Sequence, residues 1–388
     1  MRLTRCLLAG LLWPGYHAAA QDTTTAGTIS VPLTPDRWTI ERLYRRDHTA
    51  DTNPRFESHL GRPSLFLPNG FALAKGVTLK NGTLEADVAA YKGGNFFGLA
   101  FHAATPPDQY EVVFFRPNDP TYAVQYAPSF FQMNAWQFYS TGDYIASLRF
   151  PQDRWVHLRI VIKGLVASVY VDTATTPTIE VHDLPLGSVA GSIGFWARAG
   201  GGYISNIQYR PDTTSYSSTP ETSFLPGAIT QGWSISDAAL VSERDPATYP
   251  DVHALHWQPV HAEREGIVLI GRYRRDPNVE GPQPLPDRPV PESPGMQVVF
   301  ARTTLTSDRD VVRKMWIGYS DDVVVYLNGR PLYAGRNTMQ FRELGGSAYV
   351  NSYADAVYLP LKKGKNELML AVSEATAGWG FFCRLDPP

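Results

Sequence analysis

Residues 96 to 139 contain 13 aromatic side chains in 44 positions, in short runs cut by Pro, Asn, Asp and Gly. Aromatic runs bounded by turn residues read as strands joined by turns, not as helix. The stretch therefore directs the whole reading. If its rings are buried, it is the centre of a β-sandwich core. If they are exposed beside Arg116, Gln125 and Asn134, it is a polar-aromatic surface. No long segment elsewhere carries a helical period, and Gly and Pro are plentiful, so the composition is that of an all-β chain.

Residues 1–20 read as a secretory signal outside the fold. Arg2 and Arg5 precede a short apolar run at 7–13, and Ala18, Ala19 and Ala20 supply a small-residue cleavage site before Gln21. That run is too short to span a bilayer. No other stretch qualifies, so the expected chain is secreted or periplasmic, with no transmembrane segment. Beyond the signal, 33 basic residues stand against 37 acidic ones without a Lys/Arg cluster, which argues against nucleic acid as a partner. Cys383 is then the sole cysteine, and it reads as a buried thiol in a closing strand. Over 360 remaining residues suggest two domains, 21–210 and 228–388, joined by a Pro/Ser/Thr-rich linker at 211–227.

In the first unit, GTLEADV at 82–88 alternates small or apolar residues with acids. WVHLRIVI at 155–162 alternates well, and Lys163-Gly164 turns it into VASVYVD at 166–172. GSIGFW at 191–196 and YISNI at 203–207 finish the unit. This order of strands over about residues 30–210 resembles the concanavalin A-like lectin/glucanase superfamily, which includes laminin G-like modules. The resemblance implies two curved antiparallel sheets with a concave face that often holds glycan.

In the second unit, GYSDDVVVYLNG at 318–329, LPLKKGKNELMLAV at 359–372 and GWGF at 378–381 resemble galactose-binding-like jelly rolls, over about residues 295–385. Asn328-Gly329 is a natural two-residue hairpin turn. The two resemblances together imply two β-sandwich (jelly-roll) domains in tandem. Seven prolines at 277–294 exclude a central strand and read as a long exposed loop.

The leading functional expectation is recognition of a poly- or oligosaccharide on the first domain. Gln125 offers a planar amide, and Tyr126, Trp136 and Tyr139 offer rings for stacking, although half of these four are expected in the core. Arg55, His59 and Arg62 lie in one polar segment, RFESHLGR, which is either the edge of a sugar cleft or an ordinary solvated loop. Glu111 is one acid among large apolar residues. It is either a structural ion-pair partner of Arg116, Arg62 or Arg55, or a tuned acid or base. In a glycan-cleaving hydrolase or lyase, the alternative function, Glu111 and His59 would be catalytic and Arg55, Arg62 and Arg116 would bind substrate. A structural or adhesive surface protein is the third alternative. The laminarinase-type enzymes in the resemblance carry E-x-D-x-x-E on one strand. Here Glu85 and Asp87 fit, but Ala90 stands where the second catalytic carboxylate belongs. His253, His256 and His261 match no metal motif. No cofactor is implied beyond a structural calcium, for which Asp172 or Asp321-Asp322 are the candidates, although Ser320-Asp321-Asp322 reads first as a turn.

Overall fold

The computed structural model describes residues 27–41, 53–121, 123–131, 133–217, 224–275, 295–339, 341–342, 348–374 and 378–386. The signal segment and the Pro-rich stretch at 277–294 lie outside these residues. What is described is built from antiparallel strands packed as β-sandwiches. No helix among the described residues is long and apolar enough to cross a membrane.

Strands up to Gly202–Pro211 form two eight-stranded sheets. Sheet A runs, in spatial order, Ile179–Val181, Val166–Val171, Val156–Lys163, Gly82–Ala90, Gly202–Pro211, Arg62–Leu67 and Arg55–His59, with Ile29–Ser30 beside Gly202–Pro211. Sheet B runs Met133–Asn134, Val124–Phe130, Gln109–Phe115, Phe96–Ala103, Gly191–Arg198, Gly70–Leu79 and Trp38–Glu41, with Ile145–Ala146 beside Val124–Phe130. Successive side chains of a strand point to opposite faces. Val156, Leu158, Ile160 and Ile162 therefore enter the core between the sheets, while His157 and Arg159 face out. Each such large apolar side chain removed from water contributes about 1.5–3 kcal/mol before entropy is charged against it.

Strands from Ser234–Ser236 onward form the second sandwich. Sheet C runs Trp257–Pro259, Ser234–Ser236, Gln297–Ser307, Gly364–Glu374, Asp322–Leu327 and Arg330–Arg336, with Ala239–Leu240 beside Gln297–Ser307. Sheet D runs Ile267–Leu269, Gly380–Leu385, Val311–Ser320 and Asp355–Leu361. The turn at Asn328 and Gly329 has both residues at positive φ (49° and 78°), the conformation a two-residue hairpin requires. Cys383 is buried against this core, and burial pushes its thiol well above the ordinary range.

The sandwiches share apolar contacts, since Ile267, Leu269, Val350 and Phe382 belong to the same buried cluster as Phe138. Gln137 is the polar pin of the junction. Its Oε1 accepts from Gly378 N at 2.7 Å, and its carbonyl accepts from Val350 N at 2.9 Å. Beside it, Arg264 pairs with Asp183 at 3.1 Å, and Arg272 donates to Glu263 at 2.9 Å and to the Pro185 carbonyl at 3.1 Å. Burial, together with Glu263, Glu265 and Asp143, pushes the Asp183 carboxyl up to about 7; the Arg264 contact opposes that rise without cancelling it.

Candidate functional site

The residues singled out in the sequence fall into three places. Arg55, His59 and Arg62 lie on the outer face of sheet A. Glu111, Tyr126 and Tyr139 lie inside the first sandwich. Arg116, Gln125 and Trp136 border the outer face of sheet B.

On sheet A, the loop expected around Arg55 and Arg62 is instead a hairpin of two strands. Its charges are paired: Arg55 with Glu57 at 3.3 Å, and Arg62 with Asp87. Asp87 also accepts from Asn206 at 2.7 Å and meets His157 Nδ1 at 2.9 Å, while His157 Nε2 meets Glu85 at 3.2 Å. With a carboxylate at each ring nitrogen, His157 is held as the cation, and its pKa is raised. His59 stacks flat on Tyr203, with ring centres 3.7 Å apart. Burial lowers its pKa and favours the neutral ring.

Inside the sandwich, Glu111 does not pair with Arg116, Arg62 or Arg55. Its Oε2 lies 2.8 Å from His102 Nδ1, and Tyr126 donates to its Oε1 at 3.1 Å. His102 Nε2 faces the Lys80 carbonyl at 2.9 Å, so both ring nitrogens donate and the ring carries charge. Burial works against that charge, but the Glu111 hydrogen bond and charge prevail, and the His102 pKa is raised. Burial and the Glu111 charge also keep the Tyr126 phenol protonated. Glu111 and Tyr126 are wholly buried. Contrary to expectation, Tyr126 and Tyr139 are thus core rings, packed edge-on at 5.8 Å, and not a stacking surface. Glu111 and His59, the pair invoked for cleavage, stand on different sheets.

The outer face of sheet B carries a different chemistry. One cross-strand row reads Phe71, Trp196, Gly98, Phe114, Gln125, each residue paired with the next. Gly98 leaves space in the row, and Phe114 and Trp196 approach to 5.4 Å across it. A Cβ at Gly98 would stand 2.0 Å from the Val113 carbonyl oxygen. A second row reads Tyr110, Ser129, Asn134. Among the described residues, Ser129 Oγ, Asn134 Nδ2 and Trp196 Nε1 are buried and make no hydrogen bond. All three lie around the Tyr110 phenol. Burial raises its pKa, and the polar groups of Ser129, Trp196 and Asn134, which crowd the one phenol oxygen at marginal geometry, oppose the rise together with the Arg198 charge. Buried polar groups are almost always paired, so three under-bonded groups beside clustered rings suit hydroxyl partners.

Arg116 closes one end of this face. Its guanidinium lies 4.9 Å from the Trp136 ring, 5.2 Å from Phe96, 5.5 Å from Phe114 and 5.9 Å from Tyr349 of the second sandwich. It also donates to Gln125 Oε1 at 2.6 Å, while Gln125 Nε2 donates to the Trp136 and Tyr139 carbonyls at 2.8 and 2.7 Å. The Gln125 amide, expected to meet sugar, therefore holds the 136–139 turn. Trp136, Phe96 and Arg198 are partly exposed and form the rim; Phe71, Tyr110 and Trp196 form the buried floor.

No family model matches the chain, and no curated protein matches it. Solved structures do. The chain is similar to the carbohydrate-binding module CBM66 from Bacillus subtilis, at 13% identity over 49% of this chain and 94% of that one, with a TM-score of 0.31. It is similar to a protein of unknown function with a galectin-like fold from Bacillus subtilis, at 11% identity over 49% and 98%, with a TM-score of 0.36. It is also similar to domains LG4-5 of the mouse laminin alpha1 chain, at 10% identity over 98% and 100%, with a TM-score of 0.23. These neighbours are carbohydrate-binding, galectin-like and laminin G-like folds. The likeness is distant and carries nothing about the site.

Sequence reasoning missed His102, Phe71, Trp196 and Tyr349. His102 was within reach of it: the Phe96–Ala103 and Gln109–Phe115 hairpin sets Phe101 opposite Glu111, which leaves His102 beside the acid. The other three come from distant strands or the second sandwich, and no local pattern joins them. Among the described residues, no group of three or more His, Cys, Asp or Glu is placed to hold a metal ion. The candidate calcium ligands have other partners: Asp172 pairs with Arg154 at 2.7 Å, and Asp322 pairs with Arg336 at 3.1 Å.

Proposed function

We propose that the chain is an exported glycan-recognition protein whose site is the outer face of sheet B. The observation that carries this reading is the set of orphaned polar groups around Tyr110, set among Phe71, Phe114, Trp136 and Trp196. Sugar rings present apolar C–H faces and a girdle of hydroxyls; the partly exposed Trp136 and Phe96 suit the first, and the under-bonded polar groups beneath them suit the second. Trp136 and Phe96 at the rim would meet the sugar first, and Ser129, Asn134 and Trp196 would take its hydroxyls.

The test is glycan-array binding by residues 21–388, with reducing-end release assayed on every hit. Binding without release is the expected result, lost in Trp136→Ala and weakened in Tyr110→Phe. Release of reducing ends would favour the cleaving enzyme instead. Binding that ignores both variants would remove sheet B from consideration.

A further inference from the structure

The second sandwich holds a cleft of its own. The outer face of sheet C is partly covered by residues 241–257, which pack on Val298, Phe300, Tyr326 and Met369. Toward Ala371 and Ser373 the same face opens into a cleft of about 770 Å³.

Its lining combines three features. Ser373, on the floor, is 1% exposed, and its Oγ has no hydrogen-bond partner. Asp322 and Arg336 sit directly opposite each other on paired strands, joined at 3.1–3.2 Å through Nε and Nη2. A carboxylate has about four acceptor positions and a guanidinium five N–H donors, so both partners keep capacity toward the cleft. The third feature is the Phe341 ring, 59% exposed on one wall. The Phe341 backbone N–H donates to the Thr338 carbonyl at 3.1 Å. Its neighbour Arg342 donates to the Arg336 carbonyl at 3.1 Å, to both Asp355 oxygens at 3.1 and 2.5 Å, and to the Tyr319 hydroxyl at 2.8 Å. The exposed ring serves the core little and turns an apolar face to the same cleft as the polar groups of Ser373, Asp322 and Arg336.

We propose that this cleft binds a neutral saccharide unit, with its C–H face on Phe341 and adjacent hydroxyls shared among Ser373, Asp322 and Arg336. Neutrality follows from the charges: Asp322 is matched by Arg336 and Asp355 by Arg342, so a charged ligand would enter without a counter-ion. The inference concerns a separate surface and does not rest on the reading of sheet B.

The experiment is calorimetric titration of the full chain with lactose, cellobiose, maltose and xylobiose, with glucuronate as the charged control. At least one neutral disaccharide is expected to bind. Its affinity should fall about tenfold in Phe341→Ala, where ring stacking is lost, and less in Ser373→Ala. Arg336→Gln, checked by thermal melting to be folded, should also weaken it. The proposal is overturned by binding indifferent to Phe341→Ala and Ser373→Ala, by glucuronate binding where the neutral sugars do not, or by no disaccharide binding at millimolar concentration.

Discussion

Tyr110 and Glu111 are neighbours on one strand and face opposite sides of the same sheet. Glu111 looks inward, where His102 and Tyr126 hold its carboxylate. Tyr110 looks outward, into a group of polar atoms that have little besides its own hydroxyl to bond. A lone acid among apolar residues invites a catalytic reading, yet its environment here is closed and saturated. The unmet hydrogen-bonding capacity, which is what a ligand can use, lies on the side with no acid at its centre. Saturation, more than residue type, separates a structural polar group from one available for binding.

Four measurements would break or sharpen this contrast. The largest effect is expected for Glu111→Ala, which leaves a charged His102 buried without its partner and should cost about 3–5 kcal/mol in urea unfolding. Glycan affinity of the folded fraction should not change; a specific loss of affinity would mean that the inner face takes part in binding. Arg116→Met comes next. It removes a cation from a four-ring enclosure and should destabilise by about 2 kcal/mol. Trp196→Phe keeps an aromatic ring, removes the N–H and leaves a small cavity in the buried floor. It should cost about 1–1.5 kcal/mol in stability, as its lost volume alone predicts, and weaken glycan binding by up to about tenfold. Intact binding despite that loss of stability would place Trp196 with the structural groups.

The smallest effect is a slope with pH. The folded pKa of His102 is raised, so its contribution to stability is complete below the unfolded value of 6.5 and is lost as pH rises through the folded value. Stability of the wild-type chain should decline over that window, and His102→Gln should flatten the decline. His157 contributes in the same direction on sheet A, so part of the slope should survive the His102 variant and vanish only with His157→Gln added.

The fold was legible where one face of a strand is wet. Residues 155–162 alternate because His157 and Arg159 meet solvent while Val156 and Leu158 do not, and the burial of Val156–Lys163 follows that period. The pairing of Glu85 and Asp87 on one outward face was legible for the same reason. Sheet B resisted. Gln109–Phe115 is buried on both sides from Tyr110 onward, so alternation no longer separates inside from outside. Tyr126 could not be told from Trp136 by composition, and Trp196 arrives from about 100 positions away along the chain by a strand pairing that no local window contains.

The junction through Gln137, Val350 and Gly378 has a further consequence. Two modules on a slack tether sample many separations, and the second contact with a polymer is then a search. Modules sharing a buried seam offer a single separation and orientation. If both faces hold sugar, the effective concentration of the second site is high for chains whose repeat matches that spacing and near zero for all others. Selectivity among polysaccharides would then reside in the distance between the sites as much as in either site alone.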